Sequence, residues 1–121
     1  MDLRVLIVDD SMTGRKLMKR ALLASRSADI TEAASGEDAV HICKSQPIDL
    51  MFLDLTMPGL TGYDVLAALQ THDVRPVVVV VSGDVQTLAQ ERVKALGAFA
   101  FIKKPVTAAV LEGVLKDARF L

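Results

Sequence analysis

Short apolar segments alternate along this chain with segments in which apolar residues recur at helical spacing. The apolar segments are rich in β-branched residues, as strands are, and they occupy Leu3–Val8 and residues 30–34, 48–53, 77–81 and 98–102. The helical segments begin after Ser11 and at Ser35, and occupy residues 61–69, 85–96 and 107–118. Because strand–helix–strand crossovers are short and right-handed, this alternation predicts an α/β fold with a parallel central sheet and helices on both faces.

The length and composition are those of one globular domain. The chain has 121 residues, of which 51% are hydrophobic and 24% are charged, so we expect residues 1–121 to form a single domain. Its 14 basic and 15 acidic residues give a net charge of -1, which argues against direct binding to nucleic acid or to an anionic membrane. No apolar stretch approaches the roughly 20 residues of a membrane helix, and we predict a cytoplasmic protein. Cys43, the single cysteine, excludes an internal disulfide and is predicted to be a small buried hydrophobic residue.

Polar side chains stand where most of the predicted strands end. In folds of this kind, ligands bind beyond the carboxyl ends of the parallel strands. The residues at those ends are Asp9 and Asp10 after the first strand, Asp54 after the third, Ser82 after the fourth and Lys104 after the fifth. The sequence therefore predicts that these five side chains converge at one edge of the sheet.

Three carboxylates at the edge of an apolar sheet repel one another and therefore need a cation or protons. Mg²⁺, or Mn²⁺ in its place, suits a small acidic pocket because it binds through one or two carboxylates and retains waters. Zinc is disfavoured, because neither His41 nor His72 lies at the carboxyl end of a predicted strand. In this interpretation Asp10 binds the metal directly, Asp9 binds it directly or through water, and the backbone carbonyl of Thr56 is a further ligand.

A carboxylate beside a metal, a lysine and a hydroxyl group can attack a phosphoryl group and hold the resulting acyl phosphate. Asp54 is the predicted nucleophile and also a metal ligand, and Ser82 and Lys104 are predicted to bind phosphoryl oxygens. Because this chemistry modifies the protein itself, we expect no enzyme activity beyond self-phosphorylation and autodephosphorylation.

Over essentially its whole length the chain resembles the response-regulator receiver domains of two-component and chemotaxis signalling, of the CheY-like type. The resemblance is carried by several motifs in the right order. They are the acidic pair Asp9-Asp10, Asp54 in Asp-Leu-Thr-Met-Pro-Gly, Ser82-Gly83 and Lys104-Pro105. Each motif alone is weak, but together they are specific.

The resemblance implies a flavodoxin-like three-layer α/β/α sandwich with strand order 2-1-3-4-5 and phosphorylation at Asp54. It implies a histidine kinase or phosphotransfer protein as phosphodonor, and a monomer or a phosphorylation-dependent dimer. Phe101 matches the switch position that turns inward when the Ser82 hydroxyl moves toward the phosphoryl group. The output surface would extend from Val85 to Ala118, and the Lys104–Pro105 peptide bond would be cis.

Simpler interpretations exist for several of these residues. The acidic pair could only cap the first helix, and Phe101 could be a core aromatic as well as a switch. Lys103 is expected to be solvated, the two histidines to lie at the surface, and Asp49 to be structural or solvated because it lies at the start of the third strand, far from the carboxyl ends.

Three other functions compete with that of a domain that accepts a phosphoryl group on Asp54. A receiver-like interaction module would lack a phosphorylation residue, and none is missing. A phosphohydrolase with an aspartyl nucleophile would have Asp-x-Asp, whereas Thr56 stands at the second position. A flavin or nucleotide carrier would need a phosphate-binding loop, which Asp9-Asp10-Ser11 is not.

Overall fold

A parallel five-stranded sheet forms the centre of the molecule. The computed structural model describes residues 2–71, 75–83 and 87–121. The strands are β1 (Leu3–Val8), β2 (Ala28–Ala33), β3 (Leu50–Asp54), β4 (Val77–Ser82) and β5 (Ala100–Lys103), in the order β2-β1-β3-β4-β5. The helices are α1 (Met12–Ser25), α2 (Gly36–Ser45), α3 (Gly62–Leu69), α4 (Thr87–Ala95) and α5 (Ala108–Asp117). The predicted fold class and strand order are confirmed.

Several predicted strand limits are wrong by one or two residues. β2 runs from Ala28 to Ala33 rather than over 30–34, and β5 from Ala100 to Lys103 rather than over 98–102. β3 begins at Leu50 rather than at residue 48 and includes Asp54, which pairs with Val81. These limits differ because pairing with neighbouring strands decides them, and local composition does not encode that pairing. The predicted start of α4 at residues 85 and 86 lies outside the described residues.

The apolar core forms two layers, one on each face of the sheet. Alternate strand residues supply them, so that Val80 lies in one layer and Val79 in the other. α2, α3 and α4 cover the first layer, and α1 and α5 cover the second. Cys43 was predicted to be buried, but it is only half-buried against the first layer. This burial raises the pKa of its thiol to about 11, so the thiol is neutral at physiological pH.

Hydroxyl side chains begin most of the helices. The Ser11 hydroxyl accepts a hydrogen bond from the Gly14 N–H at 3.1 Å, and Ser35 accepts one from the Asp38 N–H at 3.2 Å. These bonds satisfy N–H groups that a helix start leaves without an intrahelical acceptor. Since Ser11 caps α1, the preceding acidic pair is not needed for capping.

Asp49 lies at the amino end of the sheet, away from the other carboxylates. Its two oxygens accept hydrogen bonds from the Arg4 side chain at 3.0 and 2.9 Å, and one also accepts the Arg4 backbone N–H at 2.9 Å. This arrangement joins the starts of β1 and β3 and confirms the structural interpretation of Asp49. The hydrogen bond from Arg4 holds the pKa of the carboxyl below its ordinary value of 3.8.

We expect Asp49→Ala to lower the free energy of unfolding by about 1 kcal/mol at neutral pH, as for a partly exposed charged hydrogen bond. A carboxyl pKa that folding lowers gives stability above the unfolded-state pKa, and this stability is lost as the pH falls through the folded-state value. The difference between wild type and variant should therefore shrink below the ordinary pKa of 3.8. Urea unfolding across this range measures it, and a difference independent of pH would contradict the prediction.

Candidate functional site

An acidic cluster forms where β1 and β3, which are neighbours in the sheet, reach their carboxyl ends. Asp9 and Asp10 directly follow β1, and Asp54 is the last residue of β3. One carboxylate oxygen from each of the three residues lies within 4.8 Å of the others. Asp9 and Asp54 are buried, with 6% and 8% of their surface exposed, whereas Asp10 is exposed. The predicted convergence of the three carboxylates is therefore observed.

Lys104 supplies positive charge to this cluster. Its Nζ lies 3.2 Å from Asp9 Oδ2 and 3.6 Å from Asp54 Oδ2. Its backbone N–H donates to the Ser82 carbonyl at 2.9 Å, which connects the segment after β5 to the end of β4. The peptide bond between Lys104 and Pro105 is cis, as the resemblance implies. The adjacent Lys103 is exposed, as predicted.

Asp9 is held by contacts on both carboxylate oxygens. Oδ1 accepts the Ser11 N–H at 2.9 Å, and Oδ2 faces Lys104. A Cβ atom at Gly14 would lie 2.3 Å from Asp9 Oδ2. The absence of a side chain at this position of α1 therefore leaves the room that the carboxylate occupies.

Asp54 is a carboxylate whose surroundings disfavour its charge. Burial raises its pKa above the ordinary 3.8, and the nearby charges of Asp9 and Asp10 act in the same direction. Lys104 and the Thr56 N–H, which donates to Asp54 Oδ1 at 3.3 Å, oppose this shift. The result is a desolvated carboxylate that an added cation would stabilise. The predicted metal-binding role of the Thr56 carbonyl stays a prediction.

Ser82 and Phe101 lie on β4 and β5, the two strands that follow β3 across the sheet. Ser82 ends β4, directly after Val81, which is the residue that pairs with Asp54, and it is only 1% exposed. Phe101 pairs with Val80 and packs, half-buried, against the first core layer. The core interpretation of Phe101 is thus observed, and its switch role stays a prediction. Of the two histidines, His41 is exposed on α2 and His72 lies outside the described residues.

Three contributors to the site were not predicted from the sequence. Gly14 provides space for Asp9, and a Cβ atom at Gly62 would lie 2.6 Å from the Asp54 carbonyl oxygen, so α3 starts directly against the end of β3. Arg15, a basic residue of α1, donates to the Asp9 backbone carbonyl at 2.7 Å. Single glycines and one arginine in a basic helix carry no local signal of such contacts.

The three carboxylates fit a hard divalent cation. All of the available side-chain donors are oxygens, and one exposed and two buried carboxylates leave positions for waters, which Mg²⁺ prefers to keep. No histidine or cysteine belongs to this cluster within the part of the chain that the structure describes. Asp9, Asp10 and Asp54 are therefore the residues that would hold the ion.

An apolar groove of about 610 Å³ opens onto the acidic cluster. It lies between α1 and the segment that leads into α5, and Asp54 and Lys104 are among the residues that line it. Its apolar lining includes Leu17, Met18, Ala21, Val106 and Ala108. Leu17 is 59% exposed, so the groove leaves a large apolar side chain in solvent next to the site.

The strand order and the strand-end cluster together define a CheY-like α/β sandwich with an acidic pocket at its carboxyl edge. Residues 5–116 match the sequence model of the response regulator receiver domain. The chain belongs to this family, whose members are the receiver domains of two-component signalling.

Relatives and solved structures agree with this assignment. The "Probable chemotaxis protein CheY" of Rhizobium etli is 32% identical over 107 residues, which cover 87% of this chain and 83% of that protein. The "Protein-glutamate methylesterase/protein-glutamine glutaminase 5" of Myxococcus xanthus is 38% identical over 110 residues, 88% of this chain but 31% of that protein. The chain thus spans about a third of the length of that relative. The chemotaxis response regulator CheY4 of Vibrio cholerae has a TM-score of 0.86 over the whole of both chains at 24% identity, which shows the shared fold alone.

No helix among the described residues combines the length and the apolar character needed to cross a membrane.

Proposed function

We propose that this chain takes a phosphoryl group from a phosphohistidine donor onto Asp54 in a Mg²⁺-dependent reaction, and that phosphorylation changes its output surface. The observation that carries the proposal is the position of the Asp54 carboxylate. It is buried next to two further carboxylates and lies 3.6 Å from the Lys104 ammonium. The negative charge of Asp54 is poorly solvated in such surroundings. A reaction that brings in a cation, and a phosphoryl group that Lys104 can bind, therefore stabilises the pocket.

Each residue has a defined task in this reaction. An Asp54 oxygen forms the new bond to phosphorus while the bond from phosphorus to the donor nitrogen breaks, and the donor histidine then takes up a proton. Lys104, already beside Asp54, binds a phosphoryl oxygen, and the Ser82 hydroxyl binds another. When held by Asp9, Asp10, Asp54 and the Thr56 carbonyl, Mg²⁺ or Mn²⁺ supplies the positive charge that balances the phosphoryl oxygens.

The proposed partners follow from the family. A histidine kinase or a phosphotransfer protein is the donor, and we propose that its histidine approaches Asp54 along the groove beside Leu17, which Asp54 also lines. A protein or domain that reads the output contacts the region from Val85 to Ala118, where Phe101 couples it to Ser82. We propose that the chain performs only self-phosphorylation and autodephosphorylation and turns over no separate substrate.

The proposal predicts that wild-type protein incubated with acetyl phosphate and Mg²⁺ gains one phosphoryl group per chain, visible by intact-mass spectrometry. Because the carboxylates need a cation to accept phosphoryl charge, chelation by EDTA should remove the adduct, and added Mg²⁺ should restore it. Equal labelling with and without the metal would contradict metal dependence. Absence of an adduct with any donor, despite Mg²⁺ binding, would favour the interaction module that is not phosphorylated.

The enzymatic rival has no support at the site. Thr56, two residues after Asp54, offers a hydroxyl where an aspartyl phosphohydrolase would need a second carboxylate. Thr56 is exposed, and its N–H donates to Asp54. A threonine hydroxyl is also far too weak an acid to serve as the general acid of that mechanism.

A further inference from the structure

Arg15 connects the acidic pair to the edge of the sheet. Its Nη1 donates to the Asp9 backbone carbonyl at 2.7 Å, and its Nε donates to Glu32 Oε1 at 3.1 Å. The other Glu32 oxygen accepts from Lys19 Nζ at 2.9 Å. The Arg15 side chain is only 14% exposed, unlike that of Lys19, which is 40% exposed. α1 thus places the Arg15 guanidinium against the Asp9 carbonyl, and Glu32 of β2 binds the same guanidinium.

The bond from Arg15 to the Asp9 carbonyl also restrains the peptide unit from which Asp10 extends. The carbonyl oxygen of Asp9 and the nitrogen and Cα of Asp10 belong to one planar peptide unit. A donor that fixes the oxygen therefore fixes the plane from which the Asp10 side chain starts. Asp10 is exposed, so its backbone has more influence on its direction than packing does. The Asp9 N–H, which donates to the Ala33 carbonyl at 3.1 Å, anchors the preceding peptide unit.

We propose that Arg15, oriented by Glu32, is a positioning residue that sets the divalent-cation affinity of the Asp9, Asp10 and Asp54 cluster. The inference deepens the proposed function and rests on the metal-binding part of it. Arg15 donates to a carbonyl next to two ligands and acts on the ion only through them. Groups that orient metal ligands in this way are typically worth about ten- to a hundredfold in metal affinity.

The charge of Arg15 and its hydrogen bond have opposite effects on cation binding. A guanidinium close to a divalent cation repels it, so loss of the charge alone would tighten Mg²⁺ binding. Loss of the hydrogen bond would free the Asp9–Asp10 peptide unit and weaken Mg²⁺ binding. The direction of the change in affinity therefore separates a positioning residue from a nearby charge.

We expect Arg15→Gln to weaken Mg²⁺ binding by at least about tenfold, measured by isothermal titration calorimetry with MgCl₂ on the folded protein without phosphodonor. Lys19→Gln is the matched control, because it removes the same charge one helical turn further on. Among the described residues Lys19 forms an ion pair with Glu32 and none with Asp9, and we expect its variant to bind Mg²⁺ at least as tightly as wild type. Urea unfolding without Mg²⁺ measures any general loss of stability, which by itself leaves the affinity of the folded protein unchanged.

Glu32→Ala tests whether Glu32 orients Arg15. It should weaken Mg²⁺ binding less than Arg15→Gln does, and the double variant should bind no more weakly than Arg15→Gln alone, because Glu32 acts through Arg15. Additive losses in the double variant would overturn the role of Glu32.

Unchanged or tighter binding by Arg15→Gln, or no Mg²⁺ binding by wild type, would overturn the proposal. If the affinity falls as expected but wild type accepts no phosphoryl group, the positioning role stands and the phosphoacceptor proposal fails.

Discussion

Asp54→Asn is expected to abolish phosphoryl labelling completely while it raises the stability of the metal-free protein at neutral pH. The amide matches the carboxylate in shape but is not a nucleophile that could form an acyl phosphate. Its effect on stability follows from burial, which raises the pKa of Asp54 in the folded protein. A carboxyl whose pKa folding raises gives stability that is present below the unfolded-state pKa and lost as the pH rises through the folded-state value. Ionised Asp54 therefore costs stability at neutral pH, and asparagine removes that cost.

Intact-mass spectrometry after incubation with acetyl phosphate and Mg²⁺ measures the first effect, and thermal unfolding in EDTA measures the second. The stability difference should narrow as the pH falls from the raised folded-state pKa of Asp54 towards the ordinary value of 3.8, below which the wild-type carboxyl is protonated in both the folded and the unfolded state. Added Mg²⁺ should stabilise wild type more than the variant, because the variant has lost one ligand. Undiminished labelling of Asp54→Asn would refute the assignment of the phosphorylation site.

The second large effect is expected for Lys104→Ala, which should still bind Mg²⁺ but lose the conformational response to phosphorylation. The Lys104 ammonium lies within 3.6 Å of both Asp9 and Asp54. Its removal raises the negative charge of the pocket, so Mg²⁺ binding is kept or tightened. Nothing then replaces the cation that is proposed to bind a phosphoryl oxygen, and loss of one such stabilising group typically lowers the rate by about a hundredfold or more. The initial rate of labelling should fall by that factor.

Amide NMR spectra recorded with and without phosphodonor measure the conformational response. Lys103→Ala is the matched control, because it removes the same side chain from the adjacent, exposed position and should respond as wild type does. A normal phosphorylation-dependent spectral change in Lys104→Ala would count against the role given to this lysine. Loss of the response in both variants would point to the loop before Pro105 rather than to the Lys104 ammonium.

The sequence by itself determined the fold class and the residues of the pocket. Apolar β-branched runs that alternate with helical segments leave few arrangements other than a parallel sheet covered on both faces. Because the carboxyl ends of parallel strands lie at one edge, the positions of Asp9, Asp54 and Lys104 in the sequence were enough to predict that they meet. The choice of Lys104 over Lys103 came from the resemblance, and the distances from Nζ to Asp9 and Asp54 support it.

Only the tertiary structure decided how these side chains are held and what their surroundings do to them. The raised pKa of Asp54 depends first on burial and then on the charges of Asp9 and Asp10 after β1, which together outweigh the opposing charge of Lys104. The bond from Arg15 to the Asp9 carbonyl depends on the rotation of α1 relative to β2, since Glu32 must stand behind the guanidinium. Local sequence encodes the propensity of each segment for helix or strand and the order of these elements along the chain. Distances between side chains far apart in sequence follow from packing, which no local pattern contains.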